Sequence, residues 1–206
     1  MGLLRCVVLG CVVLATAPVS GCFNHGGSLP EVDRALASGV APTPKSFTYC
    51  SDHGCEVEHP VSLSDAEWAR IAAPLATPAA DPAAERAAVA EAVGLYEQVV
   101  GPETGTAKDP GGTGIFSPRG DLDCVDEAVN TTRLLIMLDD AHLLTFHGAG
   151  RPVHRAFVGN SRTHMTAVLH AKDGVSWAVD SWFHDSGQPA EVVELDRWLD
   201  GWEPRP

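Results

Sequence analysis

Cys124, His164 and Asp180 occur in that order, and each has a local setting suited to thiol chemistry. Cys124 heads an expected helix in Asp121-Leu122-Asp123-Cys124-Val125-Asp126-Glu127-Ala128. His164 opens an expected strand, and Asp180 closes another after Trp177-Ala178-Val179. A thiolate nucleophile, an imidazole base and a carboxylate that orients the base form the general triad of covalent acyl chemistry. A helix N-terminus carries partial positive charge and free N–H groups, which favour thiolate and can hold an oxyanion. Asp121, Asp123, Asp126 and Glu127 oppose this, because nearby carboxylates disfavour a second negative charge. A reactive Cys124 therefore needs an imidazolium at contact distance. The plain alternative is a small apolar residue of the core.

The two strands decide whether His164 and Asp180 can meet. Lys172-Asp173-Gly174 between them is a hairpin signal. A two-residue turn sets residue 172 opposite 175 and puts His164 and Asp180 on opposite faces. A three-residue turn sets 171 opposite 175. Asp180 then faces Thr166, His164 faces Trp182, and the pair become diagonal neighbours on one face, roughly 7–8 Å apart along the backbone. The triad thus predicts an odd-length loop with Gly174 in the left-handed conformation.

The elements that must position these residues lie upstream and around them. Residues 22–45 hold many Gly, Pro, Ala and Ser and predict a flexible tether. Residues 47–63 alternate around Cys50 and Cys55 as a small hairpin. Ser64 and Glu67 form a capping box that starts a short helix, ended by Ala73-Pro74. Val89, Val93, Tyr96 and Val100 recur at helical spacing in a helix from Pro82 to Val100, stopped by Gly101-Pro102. The glycine- and proline-rich loop over 101–120 lacks a phosphate-loop pattern, and either walls a cleft or lies loose on the surface. In the helix from Asp123 to Leu138, one stripe carries Cys124, Ala128, Thr131, Leu135 and Leu138. The strands follow, then a terminal helix near Val193–Leu199.

The ordered set resembles the core of the transglutaminase-like (papain-like) superfamily. There the Cys begins a helix, the His begins one strand and the Asp lies on the next. Asp123-Cys124-Val125-Asp126-Glu127-Ala128 resembles its helix start. His164-Met165-Thr166-Ala167-Val168 and Trp177-Ala178-Val179-Asp180 resemble its His and Asp strands. The likeness spans about 120–185. It implies an α+β single domain over 46–206, with N-terminal helices packed on a small antiparallel sheet. It also implies amide hydrolysis or acyl transfer by Cys124, His164 and Asp180, with no metal or organic cofactor.

The N-terminus and composition narrow the setting. Arg5 precedes an apolar run from Cys6 to Ala17, too short for a membrane span and suited to a signal peptide over 1–21. Val19-Ser20-Gly21-Cys22 resembles a bacterial lipobox, with Cys22 as the lipidated residue; an ordinary signal peptide cut near Ala17 is the alternative. Phe23 rather than Asp after it favours the outer membrane, facing the periplasm, over the inner. The acyl chains would anchor the chain without spanning the bilayer. The formal charge of −13 repels nucleic acid and excludes it as a partner. An exported chain meets an oxidising compartment, so Cys50 and Cys55 are expected to pair, leaving Cys124 free.

Other residues are candidates for the site. Trp182 and Asn130 are possible substrate-lining residues, Asn130 because it lies six positions after Cys124. Trp177 and Trp202 read as core and edge aromatics. His142, His147, His154, His170 and His184 raise a zinc site, but no Cys-x-x-Cys or His-x-x-x-His spacing supports one. The expected substrates are peptides, protein side chains or peptidoglycan stems. The alternative is a non-catalytic envelope lipoprotein that uses the same fold for binding or assembly.

Overall fold

The computed structural model describes residues 30–37, 41–114, 117–156 and 163–205. The chain is of the α+β class; the described residues form five α-helices and antiparallel sheets. Helix α1 (Pro30–Ala37) is followed by a hairpin of β1 (Phe47–Ser51) and β2 (Val57–Val61). Then come α2 (Asp65–Ala72), a 3-10 turn at Ala73–Leu75, α3 (Pro82–Thr104) and α4 (Cys124–Asp140). The C-terminal part holds β3 (His147–Ala149), β4 (Val153–Arg155), β5 (His164–Ala171), β6 (Ser176–Asp180), β7 (Glu191–Glu194) and α5 (Leu195–Leu199).

Local chemistry accounts for most boundaries. Ser64 accepts from the Glu67 amide at 3.2 Å, and Glu67 accepts from the Ser64 amide at 2.7 Å, closing the expected capping box. Asp81 caps α3 through the Ala84 amide, with Pro82 just inside the helix. The expected stop at Gly101-Pro102 is not where α3 ends. The helix runs to Thr104, with Gly105 at φ +82° as its C-cap. Pro102 lies in the last turn and forfeits a single amide bond there. Gly101 is needed for close approach, since a Cβ there would sit 2.8 Å from Ala107 Cα.

Two further expectations change. Residues 22–45 are not all tether: Pro30–Ala37 is helical, and Val32 and Ala35 are buried against Val125, Ala128 and Val129 of α4. An apolar pair three residues apart gave this short stretch a face to bury. Val193 and Glu194, expected in the terminal helix, belong to β7, whose register pairs Val193 with Ala178. Two β-branched valines in succession fit a sheet edge better than a first helical turn.

α4 is the centre of the fold, buried on nearly every side from Val125 to Leu135 rather than along one stripe. One side meets the β1–β2 hairpin and α1, and another meets β5 and β6. Leu134, Leu135 and Leu138 pack in one core with Tyr49, Tyr96, Ala167, Leu169 and Val179. The main sheet runs β3–β5–β6–β7, with β4 also on β5. β3 and β4 lie along one edge of β5, but their registers differ by one residue, a bulge that accommodates Pro152. Among the described residues no helix is long and apolar enough to cross a membrane.

Candidate functional site

The β5–β6 hairpin determines whether a dyad exists. Ala167 pairs with Val179 and His170 with Ser176, and the Ala171 amide donates to Val175 O. The loop is therefore the three residues Lys172–Gly174, with Gly174 at φ +95°. This is the odd-length register the triad requires. His164 and Asp180 share a face, and His164 Nε2 lies 2.8 Å from Asp180 Oδ2. Both side chains are only 2% exposed, so the pair is held out of bulk water.

α5 completes this pair from the C-terminus. Trp198 Nε1–H donates to the same Asp180 Oδ2 at 2.7 Å, and its ring centroid is 5.5 Å from that of His164. Arg155, opposite His164 in the β4–β5 register, lies with its guanidinium carbon 4.4 Å from the Trp198 ring centroid. It donates to Trp198 O at 2.6 Å and to Trp202 O at 2.8 Å. Burial lowers the Arg155 pKa, while Asp180, Glu203 and Cys124 draw it back up, so this cation faces both acid and thiol. Sequence reasoning passed over Trp198 and Arg155. An arginine in the alternating Val153-His154-Arg155 was the available signal, because a cation on an inward strand position needs a buried acceptor.

Trp182, expected as a substrate-lining residue, is half-buried, with its ring centroid 4.5 Å from that of His164. Its indole N–H donates to Thr113 O at 2.6 Å. The described part of the glycine-rich loop therefore packs on Trp182 rather than lying loose on the surface. Gly112 N donates to Trp182 O at 2.7 Å, and Gly111 N to Asp185 Oδ1 at 3.0 Å. A Cβ on Gly111 would sit 2.6 Å from His184 C, so only glycine lets the loop come this close.

Cys124 begins α4 directly after its N-cap, Asp123. Its thiol is the free cysteine of the described chain. The helix-start effect does not prevail there. Burial first, then Asp123, push the thiol up to about 12, with Asp180 and Asp126 adding to the rise and the Met165 amide opposing it. Met165 follows His164, so thiol and imidazole meet the same end of β5. No hydrogen bond joins them among the described residues. The arrangement holds a formed His–Asp pair and a protonated thiol.

The acidic crowd around Cys124 has a structural occupation. Asp52, His53, Gly54 and Cys55 all have φ between +61° and +67°. Three of them are not glycine, and each costs about 1–2 kcal/mol in that conformation. The turn is held by the Cys50–Cys55 disulfide and by carboxylates of the Cys124 helix. Asp126 accepts from His53 N at 2.9 Å and Cys55 N at 2.7 Å, and Asp123 accepts from Gly54 N at 3.1 Å. Asp52 returns the grip by accepting from Gly120 N at 2.5 Å. Burial and Asp123 push Asp126 up to about 7.

Asn130 is not a cleft residue. It is 1% exposed and clamps β1, accepting from Cys50 N at 2.7 Å and donating to Cys50 O at 3.0 Å. Six helical positions turn about 240° rather than a full circle, so Asn130 faces away from Cys124. Arg133, one turn on, reaches Thr48 O, Ala35 O and Cys50 Sγ.

Behind the dyad lies a second group of acids. Ser181, next to Asp180, donates to Glu127 Oε2 at 2.6 Å, and Gly187 N donates to Glu97 Oε2 at 2.6 Å. Glu97 and Glu127 are buried against each other. Burial first, with Asp109 adding to it, raises Glu97 to about 7, and burial first, then Glu97, raises Glu127 well above its ordinary value. Burial also raises Asp109 to about 7, although the Leu122 amide donates to it at 2.7 Å.

Three of the five histidines weighed as metal ligands have other partners: His147 meets Glu85, His170 meets Ser176 and His184 meets Glu191. Two groups among the described residues come within metal-holding reach, Cys50–Cys55–Asp126 and His53–Asp123–Asp126. In the first the sulfurs are bonded to each other. In the second every carboxylate oxygen already accepts backbone N–H groups, whose dipoles oppose a cation. Cys22 and the signal segment lie outside the described residues. No protein-family model, curated protein or solved structure matches the chain.

Proposed function

We propose that the chain is a thiol-dependent acyl enzyme of transglutaminase-like fold, acting on amides of peptides, proteins or peptidoglycan stems in the bacterial envelope. The observation that carries this reading is the buried His164–Asp180 pair at 2.8 Å, at the strand end where Cys124 approaches. Asp180 engages Nε2, which leaves Nδ1 as the ring atom able to take a proton from the thiol. Cys124 attacks the amide carbonyl, His164 passes the proton to the leaving amine, and water or a second amine releases the acyl group. In the lipid-anchored form of this proposal, Cys22 carries the acyl chains that hold the domain at the outer membrane. Loss of fatty-acid labelling in Cys22→Ser tests that part.

The deciding experiment is acyl trapping. The chain is incubated with glutamine-containing peptides and with peptidoglycan stem peptides, and thioester adducts are sought at Cys124 by peptide mass spectrometry. The expected result is an adduct that disappears in His164→Ala and Asp180→Ala. No adduct with either substrate class would favour the second reading, a non-catalytic binding or assembly module. A specific observation supports that rival: the thiol is pushed up to about 12 and makes no bond to the imidazole.

A further inference from the structure

The Cys50–Cys55 bridge has features a plain staple does not need. Cys50 is fully buried, whereas Cys55 is partly exposed, so the two sulfurs differ in access. Arg133 NH1 stands 3.1 Å from Cys50 Sγ, inside the fold, and Arg133 is itself 4% exposed. A guanidinium at that distance favours negative charge on that sulfur, and a stabilised thiolate leaves faster in exchange. The bridge closes a turn with four consecutive left-handed residues, three of which disfavour that conformation. The same turn is fastened by His53, Gly54 and Cys55 amides to Asp123 and Asp126, the carboxylates flanking Cys124.

We propose that Cys50–Cys55 is a thiol–disulfide exchange site for a dithiol reductant, attacked at Cys55, and that opening it unlatches the turn from the Cys124 helix. The reductant's thiolate bonds to Cys55 Sγ. The Cys50–Cys55 bond breaks, and its electron pair leaves on Cys50 Sγ beside Arg133. The reductant's second thiol then displaces Cys55 and closes the reductant as a cyclic disulfide. Its two protons end on Cys50 and Cys55. With the bridge gone, nothing covalent opposes relaxation of the left-handed turn. Its amides leave Asp123 and Asp126, and water reaches the start of α4. The groups that then set the thiol's behaviour are Asp123 and Asp126 on its own helix, His164 on β5, Asp180 on β6 and Arg155 on β4. The consequence for Cys124 rests on the acyl-enzyme reading; the exchange chemistry at Cys55 does not.

The test uses the full chain with its disulfide intact. Glutathione serves as a monothiol probe, the reaction is quenched with acid, and the mixed disulfide is located by peptide mapping. The expected adduct is on Cys55, at least tenfold over Cys50. Exchange slows at least tenfold in Arg133→Met and stays fast in Arg133→Lys. Dithiothreitol treatment of the native chain raises iodoacetamide alkylation at Cys124 at least tenfold, and reoxidation restores the slow rate. Adduct on Cys50, reduction no faster than global unfolding, or a Cys124 rate unchanged by reduction would overturn the proposal. Neither the adduct's position nor the Cys124 alkylation rate needs a substituted chain. A redox response of normal size that is indifferent to His164→Ala would instead sink the acyl-enzyme reading and leave the exchange site standing.

Discussion

Replacing Glu97 by Gln should make the protein more stable above neutral pH and change it much less in mild acid. Glu97 is 3% exposed, lies against Glu127, and accepts the Gly187 amide through Oε2. Its pKa rises from an ordinary 4.5 to about 7, burial being the main cause. A carboxyl raised in the folded state holds its proton there while the unfolded chain releases it. Its contribution is therefore fully present below about 4.5 and is lost as pH rises through about 7. Two and a half units correspond to about 3 kcal/mol at 1.36 kcal/mol per unit. Gln keeps an oxygen for Gly187 and carries no charge, so it stands in for the protonated acid at every pH. Urea unfolding of both proteins at pH 5 and pH 8 measures the difference. The expected gap is about 1 kcal/mol at pH 5 and about 3 kcal/mol in favour of Glu97→Gln at pH 8. Asp126 titrates in the same window but is common to both proteins and cancels, whereas Glu127 and Asp109 lose a neighbouring charge in Glu97→Gln, which adds to the gain above neutral pH. Equal destabilisation at both pH values would refute the reasoning, because the site would then need the carboxylate itself.

Trp198→Phe keeps the ring beside His164 but removes the N–H to Asp180; a loss of about 1.5–3 kcal/mol in urea unfolding is expected, with a shifted His164 imidazole resonance. An unmoved resonance would detach Trp198 from the dyad. Inserting one glycine into Lys172–Gly174 should set His164 and Asp180 on opposite faces, and nuclear magnetic resonance should show the His164–Asp180 hydrogen bond lost. Asn130→Ala strands both the N–H and the C=O of Cys50; about 2 kcal/mol or more should be lost, read from the thermal midpoint. Gly111→Ala drives a Cβ into His184 and should loosen the loop over Trp182, seen as faster amide exchange at Gly112 and Trp182.

Much of the site was legible because its signals are local. The capping box at Ser64 and Glu67, the helix that starts at Cys124 and the strand ends at His164 and Asp180 follow from side chains acting on their own backbone neighbours. The demand for an odd-length turn was also local, because strand alternation allows just two registers and one of them separates the dyad. What the chain alone did not disclose concerns residues with distant partners. Asn130 pairs across 80 residues with Cys50, and Asp126 across 73 with His53. Arg155 and Trp198 meet through β4, β5 and α5, and reach Asp180 only once the sheet is formed. The helix-start argument for a thiolate failed for the same reason. It counted the field of one helix, whereas the thiol's state is set by burial and by carboxylates held in place by a turn far away in sequence. Sequence by itself determined which side chains stand at the ends of helices and strands, because those preferences act over three or four residues. The tertiary structure alone decided their charge and company, because desolvation and Coulomb interaction depend on what folds around a group, whatever its distance along the chain.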